Sequence, residues 1–354
     1  MAPSSNTLFL LLVAVAKVVV VLLVLLTAIA YIVWLERKLV AHIQSRWGPY
    51  RVGPHGLLQP LADGLKFLFK EDFVPQEVDR FVYWLAPFLS FTLAMFTFAV
   101  IPFGEHFKIF GHDIYLEIAN LNVGLLYVFA VTSLGVYSIA LAGWSSNSKY
   151  PLFGGLRSSA QMISYELSLG LAVVGTLMIS GSLSLRDIVN SQSGTWTIHG
   201  VNTYLPHWNV FVQPVGFLVY FIAAIAETNR IPFDLPEGET ELVGGYHTEY
   251  SSFKFAMFFM AEYANMVTVS CIATLLFFGG WHGPVFGPAW LHVLLPVFWF
   301  ALKVFCFLFF YIWMRGTLPR FRYDQLMAFG WKFLLPVALA NILATSFVVA
   351  WIGS

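Results

Sequence analysis

Apolar residues run through this chain in eight long blocks separated by short polar stretches. The blocks are Leu8–Leu35, Phe81–Phe103, Leu121–Trp144, Ser159–Ile179, Val210–Ala226, Phe253–Phe278, Leu291–Met314 and Phe333–Trp351. About 20 apolar residues in a helix cross a bilayer. Lipid offers backbone groups no partners, so helices are the one open choice for these blocks. The fifth block is the shortest, and its ends are the least sharply marked. One further stretch, Gly56–Lys70, has a different pattern. Gln59, Asp63, Lys66 and Lys70 recur every three or four positions, opposite a stripe of Leu57, Leu58, Leu61, Leu65 and Leu68. It is too short to span and predicts an amphipathic helix lying in the interface, with Pro60 in its first turn.

The pattern therefore predicts an all-α integral membrane protein with eight transmembrane helices plus an amphipathic interfacial helix after the first. Composition agrees. Hydrophobic residues make up 58% of the 354 residues and charged residues 11%, against about 25% charged in soluble domains. The first block lacks a preceding positive residue and exceeds a signal-peptide core, so it reads as a retained anchor. The formal net charge is zero, which gives no reason to expect a nucleic-acid partner. Cys271 and Cys306 lie in apolar blocks and form no CxxC, so neither a disulfide framework nor a cysteine-held metal is expected. The histidines show no ligand spacing, and no metal is assigned.

Charge orients the chain. Fourteen Lys and Arg fall in the odd-numbered loops and two, Lys108 and Arg186, in the even-numbered ones. The odd loops then face the cytoplasm or its topological equivalent, and both termini face the opposite side. Residues 1–354 read as a single polytopic domain with cytoplasmic loops at about 36–80, 145–158, 227–252 and 315–332. The polar outer stretch Gly181–Trp208 has room for a short helix.

Candidate chemistry is densest in Glu227–Glu241, written ETNRIPFDLPEGETE. Glu227, Asp234, Glu237, Glu239 and Glu241 stand there with Arg230 as the lone cation, and Pro232, Pro236 and Gly238 prevent a regular helix. Glu166 and Glu262 lie inside blocks four and six, where an ionised carboxylate costs about 2.5–3.5 kcal/mol. Such groups can hold and pass protons, and neighbours should titrate together. Glu36 closes the first block at the membrane edge. Lys303, in mid-span, calls for a partner, with Glu166 or Glu262 as candidates. Lys17 is expected to reach an interface. Arg315, Arg320 and Arg322 serve as anchors, as a dock for a soluble partner, or as counter-charges for the acidic bend.

These stretches resemble one family, the quinone-chamber membrane subunit of respiratory complex I. The motifs are LERK (Leu35–Lys38), RWGPYRVGPHGLLQPLADGLK (Arg46–Lys66), GWSSNSKYPLFGGLRSSAQMISYELS (Gly143–Ser168), AETNRIPFDLPEGETELVGGYHTEY (Ala226–Tyr250), FFMAEYANM (Phe258–Met266) and LPRFRYDQLM (Leu318–Met327). The resemblance runs the whole length. It implies a subunit of proton-pumping NADH:quinone oxidoreductase that lines the quinone tunnel and couples quinone reduction to proton translocation. By motif, Glu36, Arg37 and Arg46 lie near the quinone entrance. Glu166, Glu227, Asp234, Glu237, Glu239, Glu241, Glu249 and Glu262 match the acidic path. It implies quinone, as ubiquinone or menaquinone, for substrate. NAD, FMN and iron–sulfur clusters belong to partner subunits. It also implies soluble quinone-site subunits, antiporter-like membrane subunits and membrane lipid as partners. Two other readings are the homologous subunit of a membrane-bound hydrogenase-type complex and a stand-alone proton-coupled transporter. The long acidic bend favours the quinone-reducing member, and no internal repeat is visible to favour a transporter.

Overall fold

The structure is a computed structural model that describes residues 5–109, 112–198, 201–234, 244–284, 286, 288 and 291–353. Three long helices and the interfacial one open the chain: α1 (Ser5–Ile43), α2 (Gln59–Phe69), α3 (Arg80–Phe96) and, after a short β-hairpin, α4 (Gly124–Ser145). Then come α5 (Lys149–Ser180), the short α6 (Leu185–Ser191), a second hairpin, α7 (Asn209–Val212) and α8 (Pro214–Glu227). The chain closes with α9 (Ser252–Phe277), α10 (Leu291–Thr317), α11 (Tyr323–Phe329) and α12 (Leu335–Gly353). The hairpins are antiparallel, β1 (His106–Ile109) with β2 (His112–Tyr115) and β3 (Thr195–Ile198) with β4 (Val201–Pro206).

Among the described residues, seven helical segments are long and apolar enough to cross a membrane. The eighth expected span is α8, whose 14 residues rise about 21 Å. It is extended by α7 across a break at Gln213, ahead of Pro214. That proline, placed at the start of a helix, is tolerated there but interrupts the one before. The last span joins α11 to α12 through one π-helical turn, Gly330–Leu334. The interfacial helix follows a 3₁₀ turn at Pro54–Gly56 and carries its proline in the first turn, as its sequence predicts. Some helices run further than their apolar blocks: α1 reaches Ile43, and α5 begins at Lys149, so residues 149–158 are helical. In the outer stretch, α6 is the expected short helix.

Because apolar side chains face lipid as readily as protein, small and hydroxylated residues decide which span lies inside. Helix α9 is the most enclosed, with Ala261, Ala264, Ala273, Ser270 and Thr274 buried. Thr268 meets Thr97 there, oxygen to oxygen at 3.0 Å. The gap between α4 and α5 is just as tight. A Cβ on Gly143 would stand 2.6 Å from the Pro151 carbonyl oxygen, so no side chain fits. Helices α1 and α12 are the least covered. On one face the four loops between spans 1–2, 3–4, 5–6 and 7–8 interlock. Asn147 Nδ2 reaches the Glu77 carbonyl at 3.3 Å, Tyr83 reaches that of Glu249, and Arg320 reaches Asp234. The hairpins and α6 occupy the opposite face.

Candidate functional site

Where α1 leaves its apolar block, Glu36 turns inward and is 6% exposed. Three groups from distant parts of the chain meet it. The Tyr263 hydroxyl of α9 donates to Oε2 at 2.8 Å, Arg230 of the acidic bend stands 3.6 Å away, and Arg315 of α10 forms an ion pair with Oε1. Arg230 also contacts Glu262, Nε to Oε1 at 2.9 Å, and its guanidinium lies 4.2 Å from the Tyr263 ring centroid. One buried cation therefore bridges buried Glu36 and part-buried Glu262 over an aromatic face, and losing that cation takes a partner from both carboxylates.

Glu36, Tyr263 and Arg315 of this cluster open onto a cavity of about 500 Å³. Glu36, Arg37, Arg46, Tyr263 and Arg315 line it together with apolar Val33, Val40 and Phe259. Arg37 pairs with Asp63 of α2 at 2.6 Å, and exposed Arg46 donates to Gln44 at 2.7 Å. A neighbouring recess of about 670 Å³ shares Gly48 and Pro49 and is walled by Trp47, Tyr50, Arg51 and Gln59. The three residues assigned by motif to an entrance thus share one cavity, and Glu262 stands directly behind it.

The acidic bend is pinned at its start. Gln161 of α5 donates to the carbonyls of Ala226 and Phe233, at 2.8 and 2.9 Å, closing the chain on itself. Asn229, in the left-handed region at φ 50°, donates to Ser158 at 3.2 Å. Phe233 packs between Tyr165 and Phe321, while the Phe321 N–H donates to the Pro232 carbonyl. Asp234, 5% exposed, pairs with Arg320 at 3.2 Å. So Arg315 and Arg320 are counter-charges, whereas exposed Arg322 pairs locally with Asp324 at 3.4 Å. Glu237, Glu239 and Glu241 lie outside the described residues.

Two carboxyls stand apart from this cationic group. Glu166 accepts a hydrogen bond from Ser133 of α4. Glu227 ends α8 with its Oε2 buried and without a hydrogen-bond partner among the described residues, within electrostatic reach of Glu166 and beside Tyr220 and Tyr311. Glu249 is part-exposed, and its backbone carbonyl accepts the Tyr83 hydroxyl at 2.6 Å. Behind it, burial among aromatic rings pushes the His247 imidazole down to about 3 and the Tyr250 phenol up to about 12.

Lys303 is a correction. Its ammonium meets neither Glu166 nor Glu262. It donates to the carbonyls of Phe278, Gly280 and His282 at 2.7, 2.9 and 2.7 Å. These oxygens lie at the carboxyl end of α9, where helical carbonyls run out of partners and the dipole favours a cation. Lys17 donates to the Glu117 carbonyl at 3.1 Å, and Glu117 pairs with Arg186. Sequence reasoning also missed the bridging place of Arg230, the part of Tyr263, and Asp63 as the partner of Arg37. The lone cation among five acids, and a tyrosine next to a mid-span glutamate, were the available signals.

Fold and site together define a polytopic helical membrane protein with a charged cavity at one face and two further carboxyls, Glu166 and Glu227, apart from its cations. The family model described as NADH dehydrogenase matches residues 16–346. The chain is 60% identical to the second H-type membrane chain of NADH-quinone oxidoreductase in Koribacter versatilis (strain Ellin345), over 96% of this chain and 98% of that one. It is 54% identical to the H-type chain of NADH-quinone oxidoreductase in Thermomicrobium roseum, over 93% of each. It is 53% identical to the first such chain of Geobacter sulfurreducens, over 95% of this chain and 94% of that one. The chain belongs to this family, the H-type membrane proteins of NADH-quinone oxidoreductase, respiratory complex I.

Proposed function

We propose that the cavity behind Glu36, Arg37 and Arg46 is the part of the quinone chamber contributed by this subunit, and that the carboxyls behind it couple quinone reduction to proton movement. The observation that carries the reading is the shared cavity: the three entrance residues line it, and Glu36 ties it to Arg230 and through that cation to Glu262. Its volume falls in the usual range for small-molecule sites, with an apolar wall for a lipid-soluble ring and a few placed charges. Reducing a quinone to a quinol takes two electrons and two protons. The electrons come from NADH through FMN and iron–sulfur clusters on partner subunits. Protons come through groups that can release them near the ring.

In this reading the new charge on a reduced quinone is felt first at Glu36 and Arg230. Arg230 has two carboxylates to choose between, so a change at Glu36 alters its hold on Glu262. Through the same bend the change reaches Asp234, Glu237, Glu239, Glu241 and Glu249, and then Glu227 and Glu166. The last two lack cation partners among the described residues, so a shared proton balances them and can be passed on. The bend side faces the cytoplasm, where soluble quinone-site subunits cover the chamber, and antiporter-like subunits receive the coupling. The quinone, ubiquinone or menaquinone, enters from lipid.

The test uses the assembled complex. Glu36→Gln should weaken quinone use, and Glu227→Gln or Glu241→Gln should leave assembly intact but lower protons moved per NADH oxidised. Normal coupled turnover in assembled Glu227→Gln and Glu241→Gln complexes would contradict the coupling role.

A further inference from the structure

The interfacial helix and the far end of the acidic bend are fastened together. The segment leaving α2 lies along the head of α9. Ser252 Oγ donates to the carbonyls of Phe67 and Lys70, both at 2.9 Å, and the Phe73 N–H donates to Ser251 Oγ at 3.1 Å. Lys254 follows, 1% exposed, with its ammonium 2.9 Å from Asp72. That ammonium also lies 4.6 and 4.4 Å from the ring centroids of Tyr83 and Trp84. A buried lysine with one carboxylate and two aromatic faces is held tightly, since the desolvated charge has no better place.

The Tyr83 ring touches more than the lysine. It stacks on Tyr250 at 4.3 Å with 7° between planes, and its hydroxyl holds the Glu249 carbonyl. Tyr250 meets Ser145 of α4 at 3.1 Å. The return limb of the bend, residues 244–251, thus rests on the ring that Lys254 supports. Near the middle of α2, Asp63 pairs with Arg37 in the cavity wall and accepts a hydrogen bond from Gln59 at 3.1 Å. Helix α2 is anchored to the cavity wall through Asp63 and, through Asp72 just beyond its carboxyl end, to the bend.

We propose that Asp72 and Lys254 form a clasp that positions the Glu249 limb of the bend, and that α2 passes the occupancy of the cavity to that limb. Both are positioning residues. The proposal rests on the reading of the cavity as a quinone chamber, and it adds a route separate from the Arg230 bridge.

Hydrogen exchange on the whole assembled complex tests it, with and without a short-chain ubiquinone. In the wild type, quinone slows exchange both in the cavity segment 33–49 and in residues 244–255. In Asp72→Asn and Lys254→Met, exchange in 244–255 rises about tenfold, the scale of one charge-assisted anchor, and no longer responds to quinone. Lys254→Arg restores the response. Asp72 is half-exposed at the edge of the clasp, so Asp72→Asn carries the test if Lys254→Met does not assemble. If quinone slows 244–255 in Asp72→Asn as it does in the wild type, the clasp is overturned while the chamber stands. If quinone leaves 33–49 unchanged in the wild type, the chamber reading falls and the proposal with it.

Discussion

Buried charge occurs at both faces of this protein, but it is matched differently. On the bend side, Arg230 stands between Glu36 and Glu262, with Arg315 also on Glu36, and Glu36 and Arg315 line an open cavity. On the opposite side, Lys303 is held by three backbone carbonyls and faces the Trp208 ring at 4.8 Å. Glu117 there is locked to Arg186, whose guanidinium lies 3.8 Å from the Tyr115 ring. Burial pushes the Glu117 carboxyl up, and Arg186 opposes that shift. Carbonyl dipoles cannot give up or take a proton, so none of the three acceptors of Lys303 can exchange one with it. A cation shared between two carboxylates has two partners that can. The difference teaches that a charge in an apolar run signals function when its partners are themselves titratable and a cavity reaches them.

Mutations can break that comparison. The largest effect on turnover per assembled complex is expected from Arg230→Met, which takes a cation from both Glu262 and Glu36, the latter keeping Arg315, at a cost of about 3–5 kcal/mol. Native gels and NADH:quinone activity should show poor assembly and almost no turnover in what assembles. Glu36→Gln comes next. It keeps shape and the Tyr263 contact but removes the charge, so the KM for quinone should rise about tenfold or more, the scale of a charged hydrogen bond. Asp63→Asn should have a smaller effect, because the Arg37 pair is half-exposed and such pairs are worth about 1 kcal/mol or less. Lys303→Met should lower thermal stability yet leave turnover per assembled complex unchanged, since its three partners are backbone carbonyls and it does not line the cavity. A turnover loss as large as that of Glu36→Gln would erase the distinction between the faces.

The smallest expected effect is in pH dependence near His247. Its folded pKa of about 3 lies below the ordinary 6.5, so the unfolded chain binds the extra proton between those values. Stability from this group is complete above 6.5 and falls as pH drops towards 3. Local exchange of residues 244–250 should therefore quicken on acidification over that range, and His247→Phe should flatten the response.

Much of this was legible in the sequence because bilayer physics is periodic and severe. Eight apolar blocks, the leucine stripe of Gly56–Lys70 and the acidic bend all announce themselves by spacing. The pairings did not. Arg230 and Glu262 are far apart in sequence, and only packing of α9 against the bend brings them together. Lys303 illustrates the opposite failure. A mid-span lysine suggests a carboxylate, but helix ends supply acceptors that no side-chain pattern displays. Lys254 is not marked by the sequence pattern, because its aromatic box comes from α3, well removed in sequence.

The account depends on carboxyls that change protonation when quinone is reduced in the cavity. Infrared difference spectra of the assembled complex, recorded before and after quinone reduction, measure that directly. Carboxyl C=O bands should change in the wild type, with part of the signal missing in Glu36→Gln and another part in Glu262→Gln. Difference spectra in which both variants keep every carboxyl band of the wild type would contradict it.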